Sequence, residues 1–315
     1  MTLAPIALFT YNRLEETQQN IAALQKNFLA KESELFIFSD GPKNEESKKK
    51  IQELRLFLKT VTGFKKIIIF ESNENKGLAN SIISGVTTLL QQYERVIVLE
   101  DDLVTTSNFL SFMNGALDYF SNNNSIYTVN GYSPYVKKID LDSYYLHSRC
   151  FPWGWATWKR CWNENFFDIE SMEKYISENS NILNKFKKSI GEDAPGMLLK
   201  TLDGKISSWY IRWVFNNFLE GKKSIFHVLS KVQNIGNSSN ATHYSGGISA
   251  YKSKLDYESK NLFNFEKLIH LDDSDIRFLK YFSKKYKLLH RFKLMFTVNG
   301  ILQIKEELST KIFKK

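Results

Sequence analysis

The chain has 315 residues, 43% hydrophobic and 14% aromatic, with only 5 Pro and 15 Gly. That composition supports one large buried core, alone or with an appendage, and excludes long disordered tracts. The net charge of +9 is confined to one end: residues 277–315 hold 11 Lys and Arg against Glu306 and Glu307, and the rest of the sequence is neutral. The two cysteines, Cys150 and Cys161, are too few for a disulfide scaffold and too far apart for a metal-binding pair, so both are expected as reduced thiols of a cytoplasmic protein. The apolar stretch at 5–9 is too short for a signal peptide, and no run approaches 18 apolar residues, so no membrane span is expected.

Strand-like and helix-like segments alternate through the first half. A buried strand is predicted at 6–10. A helix with apolar residues at helical spacing follows over 14–28, with Asn12 as its N-cap. A strand at 35–38 ends in the turn signal Ser39-Asp40-Gly41-Pro42, and a helix is predicted at 45–58. Next come a strand at 66–70, a helix at 78–92 after Asn75-Lys76-Gly77, and a fourth strand at 95–99. This alternation predicts an α/β fold with a parallel sheet, whose ligands bind beyond the carboxyl ends of the strands. Thr10, Asn12, Arg13, Asp40 and Glu100-Asp101-Asp102 all fall there. The second half is less regular: helices at 109–120 and 209–220, helical pieces within 166–188, extended segments at 127–135 and 144–147, a partial strand at 224–232, and loops and helices beyond 252.

Several residues carry chemistry. Val96-Ile97-Val98-Leu99 delivers three adjacent carboxylates, Glu100, Asp101 and Asp102, to a strand end. Like charges so crowded need a cation or strong donors, and a divalent ion bridging carboxylate and diphosphate oxygens would serve; the plain alternative is a solvated acidic turn. Asp40 is either an acceptor for a nucleobase or ribose, or part of an ordinary Asp-Gly turn. Lys76 and Gly77 stand at a helix start, which favours anions and close ligand approach, or is a simple cap. Trp153, Trp155 and Trp158 lie within six residues and offer either sugar-stacking faces or core. Asp193 in Gly191-Glu192-Asp193 is a general base for an acceptor hydroxyl, or a helix-capping acid. Arg212, in Trp209-Tyr210-Ile211-Arg212-Trp213, pairs with phosphate or carboxylate, or stacks on an indole.

In chain order these elements resemble the inverting glycosyltransferases of the GT-A fold. Glu100-Asp101-Asp102 and Phe151 to Trp155 are similar to segments of the N-acetylglucosaminyltransferase I family. Gly191-Glu192-Asp193 and Arg212-Trp213 resemble elements of the family-2 glycosyltransferases. The resemblance spans about residues 4–245. It implies a GT-A domain over 1–250, with a mostly parallel central sheet flanked by helices, and a basic helical C-terminal extension over 251–315. It also implies Mn2+ or Mg2+ held by Asp102, donor contacts from Thr10, Asn12, Arg13, Asp40, Lys76, Gly77, Glu100 and Asp101, and Asp193 as the base. Acceptor or sugar contacts fall to Trp153, Trp155, Trp209, Arg212 and His243; His243, in the loop beginning Asn234-Ile235-Gly236, touches phosphate or metal, or is structural. Such relatives carry an Asp just before the residue matching Trp209, where this chain has Ser207-Ser208.

The expected activity is metal-dependent transfer of a sugar from a nucleotide donor, a UDP-sugar first, to a glycan or lipid-linked glycan in bacterial surface polysaccharide assembly. The basic tail at 277–315 would hold the protein peripherally at the inner face of an anionic membrane. Two alternatives stand beside it. A sugar-nucleotidyltransferase would carry a Gly-rich basic loop after the first strand, which Thr10-Tyr11-Asn12-Arg13 lacks. A catalytically impaired nucleotide- or glycan-binding protein is suggested by Ser207-Ser208. No nucleic-acid module is present in the sequence, so no nucleic-acid partner is expected.

Overall fold

The computed structural model describes residues 2–134, 140–236, 253–258, 260–270, 279 and 282–296. Strands β1 (Ile6–Thr10), β2 (Glu34–Ser39), β3 (Lys66–Glu71) and β4 (Arg95–Glu100) alternate with helices α1 (Leu14–Gln25), α2 (Glu45–Leu58) and α3 (Leu78–Gln92). β1 is buried along its whole length and β4 along all but its ends, as parallel strands covered on both faces must be, which is why they read as unbroken apolar runs. β3 lies at the edge, and its Lys66, Phe70 and Glu71 are exposed. α3 lays Ala79, Ile82, Val86, Leu89 and Leu90 on the sheet at helical spacing.

The chain then forms β5 (Leu103–Thr105), α4 (Phe109–Tyr119), β6 (Ile126–Asn130), β7 (Tyr144–His147) and β8 (Trp155–Trp158). Helices α5 (Ile169–Glu178), α6 (Ile182–Ile190), α7 (Ala194–Leu202) and α8 (Trp209–Leu219) follow, then β9 (Lys223–His227), β10 (Val232–Asn234), β11 (Leu268–His270) and helix α9 (Lys284–Leu294). The main sheet runs β11-β7-β9-β6-β8-β4-β1-β2-β3, and five of its eight pairings are parallel. The fold is therefore α/β with a large, mostly parallel sheet flanked by helices. β8 breaks the parallel run, lying antiparallel between β4 and β6. β5 and β10 pair antiparallel as a separate two-stranded sheet.

Three sequence expectations change. Asn12 does not cap α1; the cap position is Arg13, and no side chain closes it. The Trp-rich run becomes strand β8: both faces of Trp155–Trp158 are buried, so no polar alternation marks it as a strand. Beyond 252, where loops and helices were expected, β11 adds a parallel strand beside β7, Phe265 enters the core, and Asp256 accepts hydrogen bonds from the buried Lys231 and from Asn108 Nδ2. Part of the segment assigned by sequence to a C-terminal extension is thus built into the sheet. Both cysteines are buried free thiols, and burial pushes Cys150 up to about 12. Among the described residues, no helix is long and apolar enough to cross a membrane.

Candidate active site at the carboxyl edge of the sheet

The registers bring Thr10, Ser39 and Glu71 level, with Glu100 one step behind Thr10 on the neighbouring strand. Every turn that follows these residues therefore opens on one rim. The acidic turn at the end of β4 is clamped from below. Asn20, fully buried on the inward face of α1, donates from Nδ2 to the carbonyls of Glu100 (3.0 Å) and Leu103 (2.6 Å), gripping the chain where it enters and leaves the turn. From above, the pairing of β10 with β5 brings Asn234 opposite Leu103, and the Ile235 N–H donates to the Asp102 carbonyl at 2.9 Å.

Asp101 and Asp102 are both buried and converge on Arg13. Arg13 Nη1 donates to Asp102 Oδ2 at 2.7 Å and lies 3.4 Å from Asp101 Oδ1. Asn234 Nδ2 donates to Asp102 Oδ1 at 3.3 Å, and the Tyr11 backbone N–H bonds Asp101. Gly236 closes over Asp102 so tightly that a Cβ there would stand 2.1 Å from Oδ2. Burial pushes Asp101 up to about 7, against the pull of Arg13. Glu100 is raised well above the carboxylate range, first by burial at the strand end and then by Asp102 and Asp101. Arg13 is itself raised above its usual value: the two carboxylates outweigh the desolvation that pulls it down. The turn is thus short of positive charge, and the chain fills that lack with one guanidinium.

The fit of a divalent ion follows from this geometry. Among the described residues, no three His, Cys, Asp or Glu side chains converge as a ligand set. Two carboxylate oxygens, from Asp101 and Asp102, face one point, and Arg13 Nη1 occupies it. An ion held there would have Asp101 and Asp102 as its protein ligands, and it would require Arg13 to move and further ligands from outside the chain.

Next to this cradle, Asp40 ties two loops together. Its carboxylate accepts from the backbone N–H groups of Gly41, Lys76 and Gly77 (2.9 Å each) and from Asn75 Nδ2 at 3.1 Å. Four donors occupy the carboxylate, and through them Asp40 braces the loop that starts α3. Gly77, at φ +75, supplies the left-handed turn into that helix. Arg55 secures the same corner through the carbonyls of Ser39 (3.2 Å) and Ser72 (2.7 Å). Between them opens a cleft of about 370 Å³ lined by Phe38, Asp40, Ile69, Phe70 and Lys76, with the rings of Phe38 and Phe70 stacked at 4.9 Å. Lys76 is exposed at its mouth, and Asn12 is half-buried at the bend after β1. Thr10 Oγ1 is buried with no hydrogen-bond partner among the described residues.

The remaining expected residues divide. Asp193 precedes α7 without capping it; its two oxygens accept from Arg149 Nη1 (2.9 Å) and Nη2 (3.1 Å), and its side chain keeps 18% exposure. Trp153 is half-buried against Tyr132, their ring centres 4.7 Å apart. Trp155 and Trp209 do not face a site. They stack on each other at 5.0 Å within a buried cluster with Trp162 and Trp213, so other indoles cover the faces a sugar would need. Arg212 is likewise buried, donating to the carbonyls of Ser208 (3.1 Å) and Phe167 (2.9 Å). Ser208 caps α8 through its hydroxyl, which gives Ser207-Ser208 a local structural reason. His243 lies outside the described residues. Sequence reasoning missed Asn20, Arg55 and Arg149. The first had a signal, a polar residue on the apolar face of α1, whereas the partners of the two arginines are distant in the chain.

Fold and site together define an α/β protein with two buried carboxylates, Asp101 and Asp102, paired with Arg13, and a cleft beside them at the carboxyl edge of its sheet. No family model and no curated protein matches the sequence. Among solved structures the chain is similar to the mannosyltransferase PcManGT from Pyrobaculum calidifontis in complex with GDP-Man and Mn2+, with TM-score 0.35 and 10% identity over 50% of this chain and 46% of that one. It is also similar to S. aureus TarS, with TM-score 0.30 and 14% identity over 44% of this chain and 24% of that one. A third match is S. aureus TarS 1–349 in complex with UDP, at TM-score 0.30 and 15% identity over 44% and 37% of the two chains. The chain spans less than half the length of each of these structures.

Proposed function

We propose that the chain is an inverting, metal-dependent glycosyltransferase that moves a sugar from a nucleotide donor, with UDP-sugars first, to a hydroxyl of a glycan or lipid-linked glycan. The observation that carries this reading is the convergence of Asp101 and Asp102 on one cation point beside the Asp40-braced loop. The cleft over Phe38 and Phe70 suits a nucleobase, and the start of α3, with Lys76, suits the anionic groups that follow it. Asp102 with Asp101 would hold Mn2+ or Mg2+, which supplies charge neutralisation for the departing nucleoside diphosphate. Arg13 is the chain's own positive charge at the same place and stabilises the diphosphate as it leaves. Trp153 offers the acceptor side an aromatic wall. Asp193, oriented by Arg149, takes the proton of the attacking hydroxyl.

A second reading, a nucleotide- or glycan-binding protein without transfer, is favoured by one observation: both oxygens of Asp193 already accept from Arg149. A thermal-shift panel of UDP-, GDP- and CMP-sugars with and without Mn2+, followed by nucleotide-release assays, separates the readings. Metal-dependent stabilisation with release on adding a glycan acceptor supports transfer. Stabilisation without release supports the binder. No shift with any donor, or an unchanged metal-dependent shift in Asp102→Ala, overturns the assignment of the cradle.

A further inference from the structure

The helix α9 (Lys284–Leu294) and the turn after it present a surface that the proposed reaction does not use. Leu288, Leu289, Phe292, Met295 and Phe296 each keep between 50% and 73% of their surface exposed. Leu288, Leu289 and Phe292, spaced i, i+1 and i+4, lie on one side of the helix, and Met295 and Phe296 follow in the turn at its end. The rings of Phe292 and Phe296 touch, with centres 5.1 Å apart, so the patch is continuous. Five large apolar side chains gathered at the surface mark a contact site rather than chance exposure. The sequence of α9 carries five Lys or Arg and no Asp or Glu, and residues 277–315 hold the whole net charge of the chain. Lys284 and Lys285 are exposed at the helix start.

We propose that α9 lies in the interface of an anionic phospholipid bilayer, with Leu288, Leu289, Phe292, Met295 and Phe296 in the acyl boundary and the exposed Lys284 and Lys285 reaching the headgroups from the helix start. An apolar stripe alone would fit another protein equally well. The concentration of positive charge on this one segment of an otherwise neutral chain selects a surface of opposite sign. The root of the helix gives the docking a consequence. Phe282 is buried, its ring 3.8 Å from the Arg149 guanidinium carbon, and Arg149 holds Asp193. The Lys284 N–H donates to the Glu192 carboxylate. The membrane helix is therefore fastened beside the proposed base, so a lipid-linked acceptor would reach Asp193 from the membrane side; this clause rests on the glycosyltransferase reading, whereas the docking itself does not.

The test is co-sedimentation of the full chain with vesicles, read without any sugar substrate, so that it stands or falls apart from the proposed activity. Vesicles containing phosphatidylglycerol in phosphatidylcholine are expected to bind the protein, with pure phosphatidylcholine binding it at least roughly tenfold more weakly and salt releasing it. The double substitution Phe292→Asp and Phe296→Asp is expected to lower binding by roughly tenfold or more, and Lys284→Glu with Lys285→Glu to lower it and flatten its salt dependence. Because these residues are exposed, an unchanged melting curve controls for folding in each variant. No binding of the unmodified chain to anionic vesicles overturns the proposal, as does unchanged binding by the Phe292 and Phe296 variant. A concentration-dependent dimer that the same variant abolishes, without vesicle binding, would assign the face to a second copy and also overturn it.

Discussion

Arg13 Nη1 stands 2.7 Å from Asp102 Oδ2, so the guanidinium occupies the point at which a bound cation would meet the acidic turn. Asp101 Oδ1, 3.4 Å from the same nitrogen, completes a two-carboxylate cradle around it. Positive charge at this point offsets the burial and crowding of the carboxylates. A metal ion bound there, as proposed, would compete with Arg13 for one place, and the competition can be measured.

Replacing Arg13 by Ala is expected to tighten Mn2+ binding in the absence of nucleotide. A hydrogen bond to a charged group contributes about 1.5–3 kcal/mol, so the gain should be roughly 10- to 100-fold by isothermal titration calorimetry. Weaker binding in the variant would show that Arg13 positions the carboxylates instead of competing for them.

The stability of the ligand-free protein should depend on pH through the same turn. Burial pushes Asp101 up to about 7 and raises Glu100 as well, so the folded state holds protons that the unfolded chain has released. The contribution is fully present below the ordinary carboxylate value of about 4 and is lost as pH rises through about 7. The melting temperature should fall across that window, and Asp101→Asn should flatten the fall. Mn2+ binding should run the other way, strengthening as pH rises through 7, since the ion needs the deprotonated form. A profile unchanged by Asp101→Asn would remove this residue as its source.

Gly236→Ala tests how closely the loop after β10 closes over Asp102. The added Cβ would stand 2.1 Å from Oδ2, so either the carboxylate or the loop must move. Overpacking of this kind costs about 1–3 kcal/mol. Nucleotide-dependent thermal shifts should shrink well beyond the small drop in intrinsic melting temperature. Normal donor affinity would mean that the loop yields freely.

Asp193→Asn keeps the shape and removes the negative charge that Arg149 holds. Transfer is expected to fall by roughly 10²–10⁴-fold, the range typical of a general base, while donor binding is unchanged. Arg149→Ala should lose activity too, with a lowered melting temperature, because Arg149 also donates to the Ile190 carbonyl and lies over Phe282. Full turnover in Asp193→Asn would strike it from the mechanism.

The tryptophans separate by burial. Trp155→Ala removes the centre of the indole cluster and should cost about 3–5 kcal/mol of stability by chemical denaturation. Trp153→Ala, at a half-buried position, should cost less and raise the KM for a glycan acceptor. Equal stability losses with no change in KM would place Trp153 in the core with its neighbours.

Local signals in the sequence were strong wherever a segment's neighbours in the chain decided its structure. The strand-helix alternation through Glu100, the helix at Glu45–Leu58 and the acidic turn follow from apolar runs, helical spacing and turn residues that act over a few positions. Partnership across the chain had no such signal. Asp40 read as an open acceptor because Asn75, Lys76 and Gly77, which donate to it, lie some 35 residues away. Arg212 stayed open between an anion partner and an indole because the carbonyl of Phe167 that it binds is 45 positions distant.

By itself, then, the sequence determined the α/β architecture of the first hundred residues, the carboxylates at the end of β4 and the placing of the net positive charge in residues 277–315. Each depends on periodicity and charge within one segment. The tertiary structure alone decided that β8 runs antiparallel inside the sheet, that Trp155 and Trp209 are core, that Arg13 is the counter-charge of Asp101 and Asp102, and that Gly236 closes over them. Burial and pairing are properties of distant segments brought together by packing, and the linear order of residues carries no direct record of which segments will meet.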